Sequence, residues 1–150
     1  MFRLTDKDRG AKALVRQIGS VNKVAVDVGV LGAKASAPDG QGATVGEIAT
    51  WAEFGIGQPE RSWCRAWVDS NAVAVQSLSR RAVAAVAKGM PALEGVLALG
   101  LKVASGMQER IAAGIAPANA PSTIREKGSS TPLIRSGQFR SSIAPRLVTR

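Results

Sequence analysis

Histidine is absent from the 150 residues, and Cys64 is the only cysteine. Without histidine the chain lacks the commonest metal ligand and the commonest general base. Triads of the Ser-His-Asp and Cys-His types are excluded outright. One thiol forms neither an intramolecular disulfide nor a thiolate zinc cluster, so Cys64 reads as a small buried hydrophobe. Aromatic residues make up only 4% of the chain. The plentiful apolar residues, many of them Ala and Val, must therefore build a core of helices packed through small side chains. No apolar run reaches the roughly 18–20 residues needed to cross a membrane. Residues 1–8 hold no apolar signal-peptide core, which leads to the expectation that the protein is made in the cytoplasm. The length suits one domain with extensions.

Charge is present but unevenly placed. Seven Lys/Arg against three Asp/Glu give +4 over residues 1–34; residues 35–116 are neutral; six Lys/Arg against one Glu give +5 over residues 117–150. A neutral body with two basic ends points to a polyanion nearby, most often nucleic acid, or to a solvated face that aids solubility. Arg125, Lys127, Arg135, Arg140, Arg146 and Arg150 are the candidates for such contact. No stacking aromatics accompany them, which argues against single-strand binding.

The hydrophobic pattern divides the chain into segments. Ala11, Leu14, Val15 and Ile18 recur at helical spacing, predicting a helix over 8–18, capped by Asp6 or Asp8 and ended by Gly19. The alternating run from Val24 to Leu31 is the best strand. Residues 32–44, with Pro38-Asp39-Gly40 and Gly42, read as a surface loop that could order on assembly; they lack the spacing of a phosphate-binding loop. A helix over 45–54 follows, with Thr44 as N-cap and Gly55 as stop. A longer helix is expected over 61–88, and another from Pro91 to 115. Gly95, Gly100 and Gly106 weaken that last helix, and close helix approach or modest curvature is their expected use. Residues 1–116 thus form a helix–strand–helix body and 117–131 a linker. Residues 132–150 form a C-terminal helix and strand completing the same domain. Because the body lies upstream of the linker, removing 132–150 is expected to leave the body folded.

The remaining motifs carry no catalytic chemistry. Asp27, Glu47, Glu53, Glu60 and Asp69 match no metal-loop spacing, including the EF-hand. Trp51 and Phe54 read as core anchors, so Phe54→Ala would destabilise by ~3–5 kcal/mol. Glu53 is placed to pair with an arginine such as Arg61, fixing the turn between two helices. Arg61, Trp63 and Arg65 form a candidate inter-subunit patch, since Trp and Arg are common interface anchors; Trp67, one turn on, reads as core.

Two segments in fixed order stand out: Ile48-Ala49-Thr50-Trp51-Ala52-Glu53-Phe54-Gly55 with Pro59-Glu60-Arg61-Ser62-Trp63, and Thr131-Pro132-Leu133-Ile134-Arg135-Ser136-Gly137-Gln138-Phe139-Arg140-Ser141-Ser142-Ile143. With the Val-Asp-Val-Gly-Val-Leu strand before them, this order over residues 8–148 resembles the tail-completion, or neck, proteins of long-tailed double-stranded DNA phages. Arg135-Ser136 replaces the acidic residue and Thr frequent in that family, and Ser62-Trp63 replaces its Pro-Phe. The resemblance implies an α+β domain, with a small antiparallel sheet against a few helices, one of them long, and a basic C-terminal extension. It implies a non-enzymatic virion component without cofactor or metal. Such a protein forms a ring, expected to be a hexamer, between the head-closure or adaptor protein and the tail terminator or tail tube, with genomic DNA passing through its lumen. Trp51, Glu53, Phe54, Arg61, Trp63, Arg65, Leu133, Gln138 and Phe139 are the implied subunit or partner contacts. The basic C-terminus faces either DNA or a neighbouring ring. A tail terminator, a head-closure protein and a small basic DNA-binding protein are the alternatives.

Overall fold

The computed structural model describes residues 10–40 and 42–149. Helix α1 (Ala11–Val21) leads into strand β1 (Val24–Val30), a single-turn helix α2 (Ala33–Ser36) and helix α3 (Val45–Phe54). Helices α4 (Arg65–Ser70), α5 (Ala72–Ala87) and α6 (Ala92–Ala113) follow. Helices α7 (Pro121–Lys127) and α8 (Gln138–Ser142) and strand β2 (Ile143–Thr149) complete an α+β fold. The strands pair antiparallel, with Asp27 opposite Arg146 and Val30 opposite Ile143.

Several elements form for the local reasons expected. Thr44 caps α3 through a reciprocal capping box with Glu47, which satisfies two amides the helix leaves unpaired. Gly55 ends α3 with φ 69°, and a Cβ there would lie 3.1 Å from the Glu60 backbone nitrogen. Both the left-handed backbone and the close approach require glycine.

Other elements depart from expectation. The helix expected over 61–88 is two helices, because Asn71 leaves helical geometry (φ −118°, ψ 16°) and its side-chain amide donates back to the Trp67 carbonyl at 2.8 Å. Competition of this kind is why Asn interrupts helices. Residues 61–64 are not helical at all. The supposed loop over 32–44 contains α2, a bridge between Pro38 and Thr44, and the Pro38 carbonyl accepting from the Gln138 side chain at 3.0 Å. The supposed linker contains α7, with Pro121 in its first turn and Gly128 left-handed at its end. The helix expected from Leu133 shrinks to α8, and Ile143 already begins β2. Helix α1 runs past Gly19 to Val21; its proposed caps Asp6 and Asp8 lie outside the described residues.

Helix α6 is the spine. It packs against both strands, α5 and α8, and its buried Ala104, Met107 and Ile111 form one core cluster with Val45, Ala49, Ala52, Trp63, Phe139 and Ile143. The glycines of α6 allow this. A Cβ on Gly100 would sit 2.5 Å from Val26 Cγ2 and 2.8 Å from Pro145 Cβ, and one on Gly106 would sit 2.3 Å from Trp67 Cζ2. Close approach, to the sheet as well as to a helix, is thus their use. Gly100→Ala is expected to destabilise by about 1–2 kcal/mol, because overpacking outweighs the ~1 kcal/mol helix-propensity gain. Gly19→Ala, with no described atom beyond its own helix turn within 4 Å of the new methyl, is expected to stabilise by about 0.5–1 kcal/mol. Urea midpoints of the two variants, moving in opposite directions, check this.

Trp51 and Phe54 are not core anchors. They are 37% and 60% exposed, because α3 buries the face carrying Val45, Ala49, Ala52 and Glu53 instead. Phe54→Ala therefore removes little buried area, and its effect falls well below the ~3–5 kcal/mol of a core aromatic.

Candidate functional site

The two conspicuous sequence segments converge in space. Trp63 and Phe139 pack edge to face with ring centroids 5.3 Å apart, and the Trp63 indole N–H donates to the Ala49 carbonyl at 3.0 Å. A buried indole satisfied in this way fixes its ring orientation. Trp63 and Phe139 are each only 6% exposed, so within the chain they are core residues, not the surface contacts expected of them.

Glu53 organises the corner between α3 and α4. Its carboxylate accepts four hydrogen bonds from residues 62–65: the Ser62 hydroxyl at 2.7 Å and the amides of Trp63, Cys64 and Arg65 at 2.9–3.0 Å. Burial by itself would raise its pKa. The donors from Cys64, Ser62, Arg65 and Trp63 together outweigh burial and hold the carboxyl below the ordinary glutamate value. The expected Glu53–Arg61 pair does not form. Arg65 is the nearby cation, with Nε 3.7 Å from Glu53 and a terminal nitrogen 2.8 Å from Glu60; its guanidinium lies 5.5 Å from the centre of the Phe54 ring. Burial, and then the Glu53 charge, push the half-buried Cys64 thiol up, away from the thiolate form that makes a cysteine nucleophilic.

Arg61 turns the other way. It is 7% exposed, and its Nε donates to the Pro117 carbonyl at 2.9 Å while a terminal nitrogen reaches the Ala118 carbonyl at 3.4 Å. It thereby fastens the segment before α7 onto the corner. Beyond it runs an open groove of about 990 Å³. Ile48, Trp51, Ile56, Leu133 and Phe139 contribute its apolar wall, and Arg61, Lys127 and Arg135 its cations; Asp39 and Glu126 are its acids. Gln138 also lines it. Seven of the residues singled out in the sequence thus line one groove, drawn from both the interface set and the basic set. Leu133 has φ 61°, a left-handed conformation that is strained for a branched side chain.

Burial pushes the Lys127 ammonium down, and the charges of Arg61 and Arg135 add to the effect. Lys127 donates to the Thr131 carbonyl at 3.0 Å. Among the described residues, none of these three cations forms an ion pair with a carboxylate.

The remaining basic residues do not join this cluster. Arg146 pairs across the sheet with Asp27 at 2.8 Å. Arg125 and Arg140 are exposed on α7 and α8, and Arg150 lies outside the described residues. No group of three potential metal-ligating side chains gathers among the described residues, and no described helix is long and apolar enough to cross a membrane. The groove was not legible in the sequence as a unit; the nearest signal was the unusual density of Arg, Lys and Pro over 117–135. Compared with family models, curated proteins and solved structures, the chain has no match.

Proposed function

We propose that this protein is a structural component of a phage virion, of the tail-completion or neck type. In this reading it assembles as a ring, a hexamer, that joins the head-closure region to the tail tube, and the genome passes through its lumen. It acts mechanically rather than as an enzyme. The observation that carries the reading is the convergence of the two diagnostic segments on one corner, where Trp63 meets Phe139. Residues that resemble a family motif yet lie 76 positions apart in the chain, Trp63 and Phe139, pack here as one structural unit.

Two surface features support an assembling role. Strands β1 and β2 pair only with each other among the described residues, so each leaves an outer edge available to another chain. Large apolar side chains stand exposed at Trp51, Phe54, Ile56, Val73 and Val15, as on surfaces that a partner covers. Exposed Arg125 and Arg140 supply charge toward DNA or an acidic neighbouring ring.

Electron microscopy of particles from a phage lacking only this gene product tests the proposal. Filled heads accumulating beside unjoined tails are the expected result, with tail-end defects favouring tail completion over head closure. Normal, infectious virions would overturn it and bring a DNA-binding role forward.

A further inference from the structure

We infer that the groove between the α3–α4 corner and the segment 117–139 takes an extended peptide of a partner protein, one that carries an apolar anchor beside acidic side chains. The inference stands on the groove itself and does not depend on the neck reading.

Three observations specify this occupant. First, the groove supplies both kinds of contact. Its wall offers partly exposed Trp51 and Ile56, at 37% and 52% exposure, together with Leu133, to receive a large apolar side chain. Its lining also includes the cations Arg61, Lys127 and Arg135. Second, the cations lack compensation. Arg61 is buried and bonded only to neutral carbonyls, and no described carboxylate pairs with any of the three. Asp39 and Glu126 also line the groove, yet the Lys127 ammonium remains depressed by its surroundings. A carboxylate entering between Lys127 and Arg135 would relieve like-charge repulsion and form charge-assisted hydrogen bonds. Third, Leu133 is held in left-handed backbone at the groove wall. Strain of this kind persists where surrounding structure fixes a side chain in a required place.

The same chemistry argues against nucleic acid as the occupant. A duplex presents phosphates on a broad convex surface and has no isolated apolar side chain to fill a wall of Trp, Ile and Leu. Phosphate contacts need cations on an open face, whereas Arg61 is buried, with its donors already directed to Pro117 and Ala118. An extended chain can alternate an apolar anchor with carboxylates, which the mixed apolar and cationic lining would receive.

The test uses the isolated full-length chain. A display library of random short peptides is panned against it, and the enriched peptides are measured by fluorescence anisotropy. The expected result is a set of sequences sharing Asp or Glu beside Leu, Ile, Phe or Trp. Their binding should weaken by about tenfold or more in Lys127→Gln/Arg135→Gln, with the melting temperature retained. Trp51→Ala, which leaves the cations intact, should also weaken binding by removing the wall. No enrichment, enrichment without acidic residues, or undiminished affinity in both variants would overturn the inference. Binding of duplex DNA that the same charge variant abolishes, with no peptide selected, would replace it with a phosphate site.

Discussion

A chain ending at residue 131 is expected not to fold cooperatively. By sequence alone, residues 132–150 lie beyond a linker with the body upstream of it, which predicts the opposite outcome. In the structure this terminal segment supplies Phe139 and Ile143, 6% and 1% exposed, to the middle of the core. It also supplies the whole of β2, among the described residues the only strand paired with β1, and the Ile143 carbonyl that accepts from Gln108 on α6 at 2.9 Å. Losing the two core side chains alone removes roughly 5–10 kcal/mol by comparison with Phe→Ala and Ile→Ala replacements. That is comparable with the whole stability of a small domain, about 5–15 kcal/mol. The exposed face of α6 and the unpaired β1 would add to the loss. Far-UV circular dichroism and a thermal melt of the truncated chain check this; a sharp transition near that of the full chain would contradict it.

Glu53→Ala is expected to destabilise the protein by about 3–5 kcal/mol, the largest effect of any single substitution considered. Three backbone amides and the Ser62 hydroxyl donate to this one carboxylate. Removing it strands donors in a partly buried corner, where each unsatisfied group costs on the order of 1–3 kcal/mol. Trp63 is fixed through its own amide, so the loss would spread to the Trp63–Phe139 contact. The pH dependence has a definite sign. A carboxyl whose folded pKa lies below its unfolded value of 4.5 contributes stability in full above that value. The contribution is lost as pH falls from 4.5 through the lowered folded pKa. Glu47, lowered by the backbone and then the side-chain hydrogen bond of Thr44, acts in the same direction. Glu53→Gln should therefore flatten, without abolishing, the fall in urea midpoint below pH 4.5. An unchanged acid limb would show that the Glu53 carboxylate is not the corner's anchor.

Much of the architecture was legible locally. Strand β1 was readable because Val24–Val30 alternates and is rich in Val. Helix α3 was readable to the residue, since Thr44 with Glu47 makes a capping box and Gly55 a left-handed stop, both within a few positions along the chain. The crowding role of the α6 glycines was also readable, because glycine in a helix has few uses besides close approach or curvature. What failed did so where distant residues decide. The amides that bind Glu53 have no sequence signature, as every residue but proline carries one; only the path of 62–65 aims them at the carboxylate. Arg61 was assigned to Glu53 because charge suggested it, while the chain fold gave it the Pro117 and Ala118 carbonyls.

The sequence by itself determined the element types with local signals, the absence of histidine chemistry, the even charge of the middle and the basic ends. Local signals suffice there because capping, alternation and left-handed stops are short-range properties of the backbone. Tertiary structure alone decided that Trp63 and Phe139 form one core contact, that Trp51 and Phe54 face outward, and that Arg61, Lys127 and Arg135 gather at one groove. Which face of a short, largely apolar helix is buried depends on what packs against it. For α3 that partner arrives from residues 104–143, beyond the reach of any periodicity within the helix.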